Sequence, residues 1–139
     1  YYIQTLVLKR METLCNIIFI NIKGDEYMSI VDQNMIDGLA QVEKTGDLIV
    51  LIIDHLSWDT PQHKKLLENK IDTALSFVQS GEIFKKYPDA KQKFEDKQIK
   101  IIFQVVLKYP PTSEADENFK LIYRLLQSVG ITLECILKN

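Results

Sequence analysis

The chain has 139 residues, 46% of them apolar and 26% charged, the make-up of one globular domain that buries a core without staples. A formal net charge of −2 supplies no field toward nucleic acid or an anionic membrane, so neither is expected as a partner. No run reaches the ~18 uninterrupted apolar residues of a spanning helix, and two cysteines, Cys15 and Cys135, are too few for a disulfide framework. A cytoplasmic protein with reduced thiols is the expectation.

In residues 1–15 the apolar positions Ile3, Leu6, Val7, Met11 and Leu14 follow a helical more than a strand period. Lys9-Arg10 ahead of an apolar run resembles a signal peptide, but Asn16 and Asn21 interrupt it and no small-x-small cleavage site follows. Residues 17–22 read as a strand, rich in Ile and Phe, and Gly24-Asp25-Glu26 as a turn. The chain begins at Tyr1, with Met11 and Met28 as internal starts, and Lys23-Gly24-Asp25 can be encoded by a purine run suited to ribosome binding ahead of Met28. Two origins stay open for residues 1–27: a translated leader before a domain of residues 28–139, or a native extension that adds an element. Either way its apolar side chains need cover from the domain or from a neighbouring chain. A homodimer through the extension is therefore expected.

Residues 35–43 read as a strand weakened by Gly38, a candidate bulge. Lys44-Thr45-Gly46-Asp47 is a hairpin turn, and residues 48–53 form an apolar, largely β-branched run suited to a central strand covered on both faces. Thr60 as cap and Pro61 at the first helical position start a helix that buries Leu67, Ile71, Ala74 and Val78 and stops at Gly81. Residues 82–97 are polar and lysine-rich, broken by Tyr87-Pro88, an irregular or helical excursion. Residues 98–107 are the next strand, closed by Tyr109-Pro110-Pro111. Ser113 caps a second helix with a core face of Ala115, Phe119, Ile122, Leu126 and Val129, ended by Gly130, and residues 131–137 are the last strand, with Cys135 as a small buried apolar residue. From residue 28 the order is β-β-α-β-α-β: a single α+β domain with a mixed sheet and two helices packed on it.

Both histidines, the single tryptophan and two aspartates fall within Asp54-His55-Leu56-Ser57-Trp58-Asp59-Thr60-Pro61-Gln62-His63. A strand gives way to a helix there, where α/β folds often place binding groups. Imidazole and carboxylate from His55, Asp59 and His63 suit zinc or iron-like ions, yet their spacing matches no recognised ligand run. An aspartate could orient a histidine for proton transfer, but Ser57 lacks the flanking glycines of a nucleophile elbow. Continued as a strand, the segment would put Asp54 and Trp58 on one face and His55 on the other. The plainer role has Asp59 and Thr60 serving the helix N-terminus while Trp58 seals one end of the core. No catalytic residue, metal or cofactor is therefore assigned. Asp54, His55, Trp58, Asp59 and His63 remain binding candidates, joined by Tyr87 and Tyr109, which could share one rim of a partner surface. Residues 81–100 carry six lysines against four acids, a solvated face more than a nucleic-acid platform.

The run Ile53-Asp54-His55-Leu56-Ser57-Trp58, then His63, Leu66, Leu67 and Lys70, Phe77-Val78-Gln79-Ser80-Gly81-Glu82, Tyr87-Pro88 and Lys108-Tyr109-Pro110-Pro111, resembles a family of small bacterial proteins of unknown function. That family shares an I-x-D-x-x-x-W…H…L…K…F-x-x-S-G-E…Y-P pattern, and the resemblance spans residues 28–138. It implies a compact α/β fold in a bacterial cytoplasm, of the kind carried on mobile gene cassettes or beside toxin genes, and it brings no activity or catalytic residue. The leading expectation is a non-enzymatic protein-interaction module, with an immunity- or antitoxin-like inhibitor as one version. The alternative is a small-molecule- or metal-binding protein, or an enzyme, built on residues 54–63.

Overall fold

A computed structural model describes residues 17–20 and 33–138. The helical period of residues 1–15, the turn at Gly24 and the start at Met28 lie outside these. Among the described residues five strands form one mixed sheet in chain order: β1 (Ile17–Ile20), β2 (Gly38–Val42), β3 (Leu48–Asp54), β4 (Ile101–Leu107) and β5 (Ile131–Leu137). β1, β2 and β3 pair antiparallel, whereas β3, β4 and β5 run parallel. The parallel pairs need crossovers, supplied by α1 (His63–Gln79), with the short α2 (Ile83–Lys86) and α3 (Ala90–Glu95) after it, and by α4 (Ser113–Gln127). Each crossover advances one strand in the same direction, so a shared handedness sets α1 and α4 on the same face. No described helix is long and apolar enough to cross a membrane.

Strand alternation divides the core. Leu48, Val50 and Ile52 face the helices with Ile101, Phe103, Val105, Leu133 and Cys135, where Leu67, Ile71, Ala74, Phe119 and Leu126 meet them. Ala40, Val42, Ile49, Leu51 and Ile102 form a smaller cluster on the opposite face. β3 is thus covered on both sides, as its uninterrupted apolar run requires. Burial raises the Cys135 thiol's pKa well above its ordinary value, in keeping with an apolar role.

β2 is shorter than residues 35–43, and Gly38 makes no bulge. It pairs directly with Leu51, and a Cβ on it would stand 2.9 Å from Leu51 Cδ1. The glycine therefore permits close approach of two strands. Gly38→Val should destabilise the fold by about 1–3 kcal/mol, the range for overpacking a core, read as a lower urea midpoint. Stability equal to wild type would refute the close-approach role. The turn into β3 is as expected: Gly46 has φ 83°, and Val42 N–H donates to the Asp47 carbonyl at 2.8 Å.

Both long helices start differently from expectation. α1 begins at His63, after a Gln62 with φ 63° and no side-chain cap; the Thr60 hydroxyl lies 3.2 Å from that of Ser57 instead. Pro61 sits in the turn before the helix. At α4 the cap is Thr112 and not Ser113, its Oγ1 accepting the Ala115 N–H at 3.1 Å. Val129 lies beyond the last helical residue and is exposed, because the chain is already turning toward Gly130 at φ 83°. The excursion between α1 and β4 resolves into the two short helices.

Candidate functional site at the carboxyl ends of the parallel strands

The register aligns Asp54, Leu107 and Leu137 at the ends of β3, β4 and β5. In open sheets of this kind ligands bind in the crevice outside the carboxyl ends of the strands. The residues leaving that edge are therefore the ones to inspect.

Strand parity turns Asp54 toward the helices, where it is 1% exposed. Leu56 N–H donates to its Oδ1 at 3.1 Å, and its Oδ2 lies 2.6 Å from His63 Nε2. The other ring nitrogen, Nδ1, is 3.0 Å from the Ser57 carbonyl oxygen. A carbonyl only accepts, so Nδ1 carries a proton, and the Nε2–Oδ2 contact needs a second. The pair is then either imidazolium with carboxylate or imidazole with carboxylic acid, in both cases neutral overall. Burial raises the Asp54 pKa, opposed by the hydrogen bond and charge of His63.

Trp58 closes this unit. Its ring stacks on His63 with centroids 4.0 Å apart at 18°, and meets Phe119 edge-on at 6.0 Å. Its indole N–H donates to the Tyr109 carbonyl at 3.3 Å, tying the loop after β3 to the corner after β4. His63 thus has both nitrogens engaged and one face covered, so ligating a metal or taking a proton from substrate would require breaking a buried hydrogen bond. Among the described residues no group of three or more His, Cys, Asp or Glu is arranged to hold a metal ion.

The remaining candidates separate. His55 points away from His63 into a cleft with Ile53, Val106, Lys108, Tyr109 and Lys138. Asp59 is exposed and caps nothing. Tyr87 is a core residue whose phenol burial pushes up in pKa, and it precedes β4, whereas exposed Tyr109 follows it. Buried in the core, the Tyr87 side chain offers no surface beside the exposed Tyr109. A second cleft, on the helix side, lies between the first turns of α1 and α4 and includes Trp58, Gln62, His63, Thr112 and Asn118.

Two features escaped the sequence reading. Asp37 and Lys70 form a buried ion pair, Nζ to Oδ1 2.8 Å, while Asp37 Oδ2 accepts the Ile53 N–H at 2.6 Å and Lys70 also donates to the Met35 carbonyl. Its signal was a lysine lying in the apolar stripe between Leu67 and Ala74. The other is a line of exposed apolar side chains, Leu121, Leu125 and Val129, whose four-residue spacing is visible in the sequence.

The family model DUF6572, a family of unknown function, matches residues 28–139, and the chain belongs to that family. No curated protein and no solved structure matches.

Proposed function

We propose that this member of the DUF6572 family is a non-enzymatic protein-interaction module whose first partner is a second copy of itself, joined along the outer face of α4. The supporting observation is the stripe Leu121, Leu125 and Val129, exposed by 56%, 70% and 46%. Leu121 and Leu125, at i and i+4, share one face of α4, Val129 follows just past its end, and exposed apolar side chains grouped on a polar surface mark a contact. Charge favours a two-fold arrangement. Exposed Glu114 lies in the first turn of α4 and exposed Arg124 in the last. Antiparallel packing about Leu121 brings the acidic end of one helix to the basic end of the other. The locked imidazole of His63 speaks against the alternative of an enzyme or metal protein built on residues 54–63.

Light scattering on the full chain should report a dimer, and Leu121→Glu with Leu125→Glu should convert it to a monomer without loss of helical signal. A monomeric wild type, or a variant that stays dimeric, overturns the α4 contact. Deleting residues 1–27 separates this contact from self-association through the extension: loss of the dimer on deletion assigns it there instead. An immunity- or antitoxin-like inhibitor in a bacterial cytoplasm, encoded on a mobile cassette, is one form of the same reading. Pull-down with the product of a neighbouring gene tests it.

A further inference from the structure

We infer that the cleft outside the carboxyl ends of β3, β4 and β5 binds a small molecule through a phosphate group held by Lys108, Lys138 and His55. The strand register carries the argument. Asp54, Leu107 and Leu137 are aligned, so the next residues, His55, Lys108 and Lys138, leave three neighbouring strands at one level. The ladder extends into them: Lys108 N–H donates to the Asp54 carbonyl at 3.0 Å, and Lys138 N–H to the Leu107 carbonyl at 2.8 Å. Alternation then turns all three side chains to the face opposite α1 and α4, beside Ile53 and Val106. These residues, with Tyr109, line one cleft of about 530 Å³, within the range of small-molecule sites.

Three basic side chains in a row on adjacent strands are unusual in a chain of net charge −2. Of these, the Lys108 and Lys138 ammoniums are like charges opposite each other on adjacent strands, which stand only about 4.8 Å apart, and they repel. The Asp54 carboxyl turns to the helix side of the sheet, where its oxygens meet the Leu56 N–H and His63. A dianion at this spot removes the repulsion and gains charge-assisted hydrogen bonds. The Lys108 ammonium is also positioned, 5.5 Å from the centre of the Tyr109 ring. Ile53, Val106 and Tyr109 leave an apolar wall for the body of an organic phosphate. This site is distinct from the α4 ridge and stands or falls without it.

Titration of the isotope-labelled full chain with inorganic phosphate and with phenyl phosphate, followed by amide NMR at constant ionic strength, tests the inference. Saturable shifts at His55, Lys108 and Lys138 are expected, and Lys108→Gln with Lys138→Gln should weaken binding at least about tenfold, a modest loss for two charge-assisted contacts. A melting temperature at or above that of wild type shows that this variant is folded, and relief of the repulsion between Lys108 and Lys138 should raise it. Tighter binding of phenyl phosphate identifies an organic monoester, and equal binding identifies free phosphate; both sustain the site. Shifts that chloride reproduces, or equal affinity in the variant, overturn it.

Discussion

Lys70→Ala should lower stability by about 3–5 kcal/mol, the range for removing one partner of a buried ion pair. Lys70 is 1% exposed, and its ammonium lies 2.8 Å from the equally inaccessible Asp37 carboxylate. Without it the Asp37 carboxylate loses the ammonium that balances its charge in the core, while the Ile53 N–H still donates to it. The pair also ties the segment ahead of β2 to the middle of α1, since Lys70 donates to the Met35 carbonyl and Gln33 Nε2 donates to the Leu66 carbonyl at 3.2 Å. A thermodynamic cycle isolates the interaction. Lys70→Met retains the stem, Asp37→Asn removes the charge, and the double variant should be more stable than the two single losses summed, by about 0.5–3 kcal/mol. Urea midpoints measure all three. Strict additivity would mean that the two groups do not interact.

His63→Ala should cost a similar amount at neutral pH, about 3–5 kcal/mol, because it strands the Asp54 carboxylate and removes the ring on which Trp58 stacks. Here the cost should depend on pH, with a sign fixed by Asp54. Burial already holds that carboxyl above its ordinary 3.8, and His63 is the main influence pulling it back. Deleting the imidazole enlarges the upward shift. A group whose pKa is raised by folding adds stability below its unfolded value and loses it as pH rises through its folded value. The variant should therefore fall furthest behind wild type at the alkaline end of the stable range and recover on acidification, as Asp54 takes up a proton. Adding Asp54→Asn should abolish that recovery. A deficit constant across this range would mean that the stranded carboxyl does not titrate with folding, and the account of the pair would fail.

The strands and long helices were legible because each has a strong local period. The β-branched runs of β3 and β4 and the three- and four-residue spacing of Leu67, Ile71, Ala74 and Val78 admit little else. Helix starts were less legible. A threonine followed by proline signals a start, yet Thr60 and Pro61 were drawn into the turn that carries Trp58 across to Tyr109. The dense packet at residues 54–63 stands out in the sequence, but its spacing says nothing about which members would meet. Nine positions separate Asp54 from His63, and only the reversal at the end of β3 brings them together.

Composition and periodicity alone establish an α+β domain with a mixed sheet, and they place the chemically rich segment at a strand exit, since apolar patterning is a local property of the chain. The pairing of Lys70 with Asp37, the locking of His63 between Asp54 and Ser57, and the row of His55, Lys108 and Lys138 could not be read that way. Each depends on contacts between residues distant along the chain or on the alignment of three parallel strands, and such partners are chosen by packing, which no local pattern encodes.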